Sequence, residues 1–146
     1  MSVGAGVSSR PRTRRAATVL LVLYAVLLAV VLLSPSSSTQ SGLVTDLVGW
    51  LTDLGLSPHV VTYARAEILM NAVIIAPLTF LATLVVRRLR WQDWTAYAFL
   101  GATSVEIVQG LLLPHRQASF SDIVANTAGA LLGALLGALL AARLRA

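Results

Sequence analysis

Glu106 and Gln109 stand three residues apart in a stretch, Thr95 to Leu113, that is otherwise mostly apolar. On a helix that spacing puts both side chains on one face, so an acid and an amide point the same way. A carboxylate within an apolar span costs a few kcal/mol and needs a partner, a proton or a water-filled site. Its chemistry is then proton exchange, general acid or base work, or the gripping of a polar ligand. Asn71, Asp122 and Asn126 lie in or at the edge of other apolar stretches, and Arg116 follows the segment that carries Glu106. The chain has no Cys, hence no disulfide, no thiolate nucleophile and no Cys-held metal. His59 and His115 fall between the apolar stretches without ligand spacing around them, so neither a metal nor a cofactor is expected. No Ser stands beside a His, and the paired His and Arg motifs of lipid phosphatases are not matched.

The elements that hold these residues are dictated by composition. Hydrophobic residues make up 57% of the 146 and charged residues 12%, outside the range of an ordinary soluble domain. The apolar residues come in blocks, and a helix of about 20 mostly apolar residues spans a hydrocarbon core of about 30 Å. Four blocks qualify: Ala16 to Leu33, Ile68 to Val86, Thr95 to Leu113 and Ile123 to Ala142. No short alternating strands of a β-barrel are visible. The fold class expected is an all-α membrane protein, a four-transmembrane-helix bundle over residues 16–142 between a basic tail, 1–15, and a short tail, 143–146.

All eleven basic residues are Arg, and nine of them (Arg10, Arg12, Arg14, Arg15, Arg87, Arg88, Arg90, Arg143 and Arg145) fall on one side of such a bundle. Only Arg65 and Arg116 fall on the other. The positive-inside rule makes the richer side cytoplasmic, with both termini there. The net charge of +5 is thus explained by topology, and no nucleic acid is expected as partner. An Arg-rich start before an apolar run is also the pattern of a cleaved signal. Here 18 apolar residues exceed a usual signal core, and no Ala-x-Ala site follows. The expected location is the plasma membrane, crossed several times.

Between the first two spans, Ser34 to Gly42 reads as a flexible lead. Leu43, Leu47, Val48, Trp50, Leu51 and Leu54 then recur at helical spacing, which predicts a short amphipathic helix on the outer surface. With this orientation Glu106 lies roughly 10 Å below the outer boundary, and Asn71 and Asn126 about one turn in. Asp122 is at the boundary, with Arg116 above and Arg65 and Glu67 before the second span. The expected site is a polar cluster of Asn71, Glu106, Gln109, Arg116, Asp122 and Asn126 in the outer half of the bundle. Gly129, Gly133 and Gly137 repeat GxxxG on the last span and predict a close helix contact. Pro77 predicts a bend in the second.

The order of these pieces resembles the VanZ-like family of bacterial membrane proteins. Its pattern is an Asn before a Pro-containing helix, a Glu-x-x-Gln helix, an Arg, and Asp-x-x-x-Asn-x-x-Gly-x-x-x-Gly opening the last helix. Asn71, Pro77, Glu106, Gln109, Arg116, Asp122, Asn126, Gly129 and Gly133 match it. Thr79 stands where a Gly commonly follows the Pro, and Ser119 where many members carry an extra Asp, which leaves the rim less negative. The resemblance implies an envelope protein connected with low-level resistance to the glycopeptide teicoplanin, and supplies no reaction. The function expected is binding of an envelope lipid, a precursor or a peptide, with membrane lipids as partners. The alternatives are an intramembrane enzyme with Glu106 as acid or base, or a small proton-coupled transporter.

Overall fold

Helices here begin where a polar residue can cap them, several residues before the apolar blocks do. The computed structural model describes residues 9–32, 38–112 and 119–144. Among these every regular element is helical: α1 Ser9–Leu32, α2 Ser38–Asp53, α3 Tyr63–Val85, α4 Trp91–Leu112 and α5 Phe120–Arg143. Each expected span coincides with one of these helices, but α1 starts at Ser9 rather than Ala16, α3 at Tyr63 rather than Ile68, α4 at Trp91 rather than Thr95, and α5 at Phe120 rather than Ile123; α3 ends one residue before the expected Val86, and the expected ends Leu33 and Leu113 lie outside the described residues. Hydropathy marks the apolar window, whereas a helix continues outward until its first N–H groups find acceptors. The Thr62 hydroxyl accepts from the Arg65 N–H at 3.4 Å, and the Asp93 carboxylate in the first turn of α4 accepts from the Arg90 N–H at 2.7 Å.

The flexible lead is corrected in part, since α2 already runs from Ser38 and takes in Thr39, Gln40, Ser41 and Gly42. Extending an existing helix through weak formers costs a few tenths of a kcal/mol per residue, far less than nucleating one. The amphipathic character is present: Val44 is buried, Leu47, Val48 and Leu51 are half-buried, and Trp50 and Leu54 are exposed.

At the centre of the packing, α3 touches each of the other four helices and meets α5 most extensively. Glycines set that contact. A Cβ added at Gly129 would strike the Ala72 carbonyl, at Gly133 the Ala76 carbonyl, and at Gly137 would come to 2.9 Å from the Phe80 carbonyl. Each glycine sits 57 positions after its partner (129 with 72, 133 with 76, 137 with 80), so the two helices run parallel in constant register. The close approach lets the Thr79 hydroxyl cross to the Ala130 carbonyl at 2.8 Å. The Thr79 side chain thus becomes an interhelical hydrogen bond.

Running against both, α4 starts with Trp91 beside Ala138 and Ala141 near the finish of α5, and its Glu106 reaches Ser119 where α5 begins. Pro77 lies inside α3 without ending it. Its missing N–H would have bonded the Val73 carbonyl, and in that loosened turn the Tyr24 hydroxyl donates to the Ile74 carbonyl at 2.7 Å, docking α1.

The core consists of small residues such as Ala66, Ala82, Ala125, Ala130 and Ala134, while Val19, Leu23, Val26, Leu111, Leu132 and Leu139 face outward. Apolar surface of this extent is stable against lipid, where close packing replaces the hydrophobic drive. Among the described residues two helices, Tyr63–Val85 and Phe120–Arg143, are long and apolar enough to cross a membrane, and Arg15–Val31 is a shorter apolar stretch. Two of the four expected spans therefore meet the criterion. In α4 the polar Gln92, Asp93, Glu106 and Gln109 dilute a helix of 22 residues.

Candidate functional site

On α4, Glu106 and Gln109 are 5% and 4% exposed, whereas Ile107 is 54% and Leu111 78%. The polar face is therefore turned into the bundle and the apolar face away from it. What meets Glu106 is the next helix start: the Ser119 backbone N–H donates to its Oε2 at 2.7 Å. Ser119 is the N-cap of α5, its hydroxyl accepting from the Asp122 N–H at 3.4 Å and pairing with the Ser121 hydroxyl at 2.7 Å. The first turn of a helix carries partial positive charge on its unpaired N–H groups. A carboxylate against that turn gains both a charge-assisted hydrogen bond and the helix dipole.

Sequence reasoning treated Ser119 as a departure from a family pattern and missed this role. The Ser-x-x-Asp spacing from Ser119 to Asp122 was the available signal, since it resembles a capping box. An Asp at position 119 would set a second carboxylate beside Glu106. Ser119 keeps the cap and omits that charge.

The other expected residues sit around this junction. Asp122 is half-buried in the first turn of α5, close enough to Glu67 for the two carboxylates to repel each other. The neighbouring Arg65 is occupied with the preceding loop, donating through Nη1 to the Val60 carbonyl at 3.0 Å and the His59 carbonyl at 3.4 Å. Asn71, half-buried on α3, precedes the Ala72 that meets Gly129. Asn126 is 8% exposed one turn before Gly129. The two amides therefore lie at nearly the same height on the paired helices. Arg116 and His115 lie outside the described residues.

Asn126 also lines a cavity of about 420 Å³ between α1, α3 and α4, with Leu21, Leu28, Leu78, Thr79 and Trp94 among its other walls. Glu106, Gln109 and Asn71 are not on those walls. Asn126 thus borders this apolar space as well as the neighbourhood of Asn71, and Glu106 belongs to the junction of α4 with α5. Trp94 is another of the lining residues, and its Nε1 is buried without a hydrogen-bond partner.

Chemically, the junction offers a buried carboxylate, a buried amide one turn on, a second carboxylate at the helix start, and two amides on the facing helices. Such a set accepts and donates hydrogen bonds to a polar group. Among the described residues no group of three or more His, Asp or Glu side chains could hold a metal ion. Compared with known proteins, residues 21–141 match the family model described as VanZ/LLP1. No curated protein and no solved structure matches.

Proposed function

Since the chain belongs to the VanZ/LLP1 family, we propose that it is a multi-pass protein of the bacterial plasma membrane that binds an envelope lipid, precursor or peptide in the outer half of its bundle. In this reading α1, α3, α4 and α5 all span, both termini are cytoplasmic, and α2 lies on the outer surface. The parallel run of α3 and α5 supports it. Two parallel helices can both cross a membrane only if the chain returns between them, and α4 connects them with 22 residues, or about 33 Å of helix.

The observation that carries the function is Glu106, a carboxylate 5% exposed in an apolar helix and held by the N–H of Ser119, the N-cap of α5. Ionisable groups kept in a membrane span at such expense are usually functional. Gln109, Asp122, Asn71 and Asn126 are the proposed companions. Binding of a peptide or lipid-linked precursor there would connect the protein to glycopeptide susceptibility, teicoplanin included.

Native mass spectrometry of the purified full chain against extracted envelope lipids tests this, comparing wild type with Glu106→Gln. The amide keeps size and hydrogen-bond acceptance while removing charge, so the variant should fold and lose the bound species. Equal retention by both would reduce the cluster to packing.

A further inference from the structure

At the far end of the bundle from Glu106, a pocket of about 300 Å³ opens between the last turns of α3 and α5 and the loop that leads into α4. Its walls include Arg87 and Arg90 from that loop, Trp91 at the start of α4, and Ala138 and Ala141 on α5. Both arginines are exposed. Among the described residues neither guanidinium is paired with a carboxylate, and the nearest acid in sequence, Asp93, is taken up by the Arg90 backbone N–H at 2.7 Å.

Membrane orientation requires positive charge in this loop but is indifferent to where in the loop it falls. A pocket mouth is a more particular place. Two of the three loop arginines stand on it and Arg88 does not. The space exists because α5 presents alanines there, where the larger Leu139 and Leu140 face outward. A guanidinium is a planar fork that matches phosphate oxygens in pairs, and Trp favours the depth of the glycerol region. Basic pockets between helices at a membrane face are fitted to anionic headgroups.

We propose that this pocket binds the phosphodiester headgroup of an anionic phospholipid. Arg87 and Arg90 pair with the phosphate oxygens, Trp91 lies beside the glycerol, and the acyl chains run along the outward leucines of α5. The site is separate from the cluster around Glu106 and does not depend on it.

The test uses the purified full chain in detergent, with phosphatidylglycerol and phosphatidylcholine of identical chains offered in equal amounts and retention read by native mass spectrometry. Wild type should prefer phosphatidylglycerol. Arg87→Gln with Arg90→Gln should reduce that preference by about thirtyfold, the effect of two arginines near an anionic surface. Arg88→Gln should leave it in place. Arg87→Lys with Arg90→Lys keeps charge and solubility but loses the fork, and should fall between. Ala141→Phe fills the space without changing charge and should also weaken retention.

An equal loss in Arg88→Gln would show diffuse attraction and overturn the pocket, as would full retention by the double Gln variant. Displacement of the lipid by inorganic phosphate would assign the site to a soluble anion and overturn the lipid reading.

Discussion

The Glu106 carboxylate is tolerable inside the bundle because its partner is a backbone N–H at the positive end of a helix, a donor that cannot rotate away. Removing the cap without removing that N–H separates two contributions. Ser119→Ala should cost about 1 kcal/mol, the usual loss of an N-cap hydroxyl, seen as a lower midpoint of thermal unfolding in detergent. Ser121→Ala, at an exposed position, should stay within about 0.5 kcal/mol of wild type; equal losses would deny Ser119 its role. The common face of Glu106 and Gln109 was legible from their spacing alone. The N–H that meets Glu106 was not, because a backbone donor leaves no residue-specific trace and the contact joins positions 13 apart through a reversal of the chain.

Between α3 and α5 the carbonyl oxygens of one helix lie where side chains of the other would be, so the pair is specified by what α5 lacks. Gly133→Ala pushes a methyl into the Ala76 carbonyl and against Thr79, and should cost about 1–3 kcal/mol. Gly101→Ala on α4 meets nothing within 4 Å, and should stabilise by about 0.5–1 kcal/mol through backbone entropy. Unfolding of the two variants side by side checks both, and a stable Gly133→Ala would remove the glycine register. Thr79→Val keeps the shape and deletes the 2.8 Å bond to Ala130, a loss of about 0.6 kcal/mol. The GxxxG repeat announced a close contact in the sequence. Its partner helix was not announced, since Ala72, Ala76 and Phe80 are ordinary apolar residues there. Likewise hydropathy located the helices and misplaced their starts, because caps such as Thr62 and Ser119 lie outside the apolar windows.

At the scale of the whole molecule, the proposed function requires α4 to carry the chain back across the membrane, with Glu106 below the outer face and the arginine loop inside. Reporter fusions at Ala146 and within residues 88 to 93 should read as cytoplasmic, and an insertion near Gln40 as external, following the arginine asymmetry. The parallel α3 and α5 make the crossing of α4 the decisive step. The absence of Cys from the chain gives that step a clean assay, because a single introduced thiol is then the one site in this chain that a maleimide can label. Arg88→Cys and Ser121→Cys, both at exposed positions flanking α4, would be treated in intact cells with a membrane-impermeant maleimide. The expected result is labelling at position 121 from outside and at position 88 only after the membrane is permeabilised. Labelling of both thiols from the same side would place α4 on one face of the membrane and contradict the account.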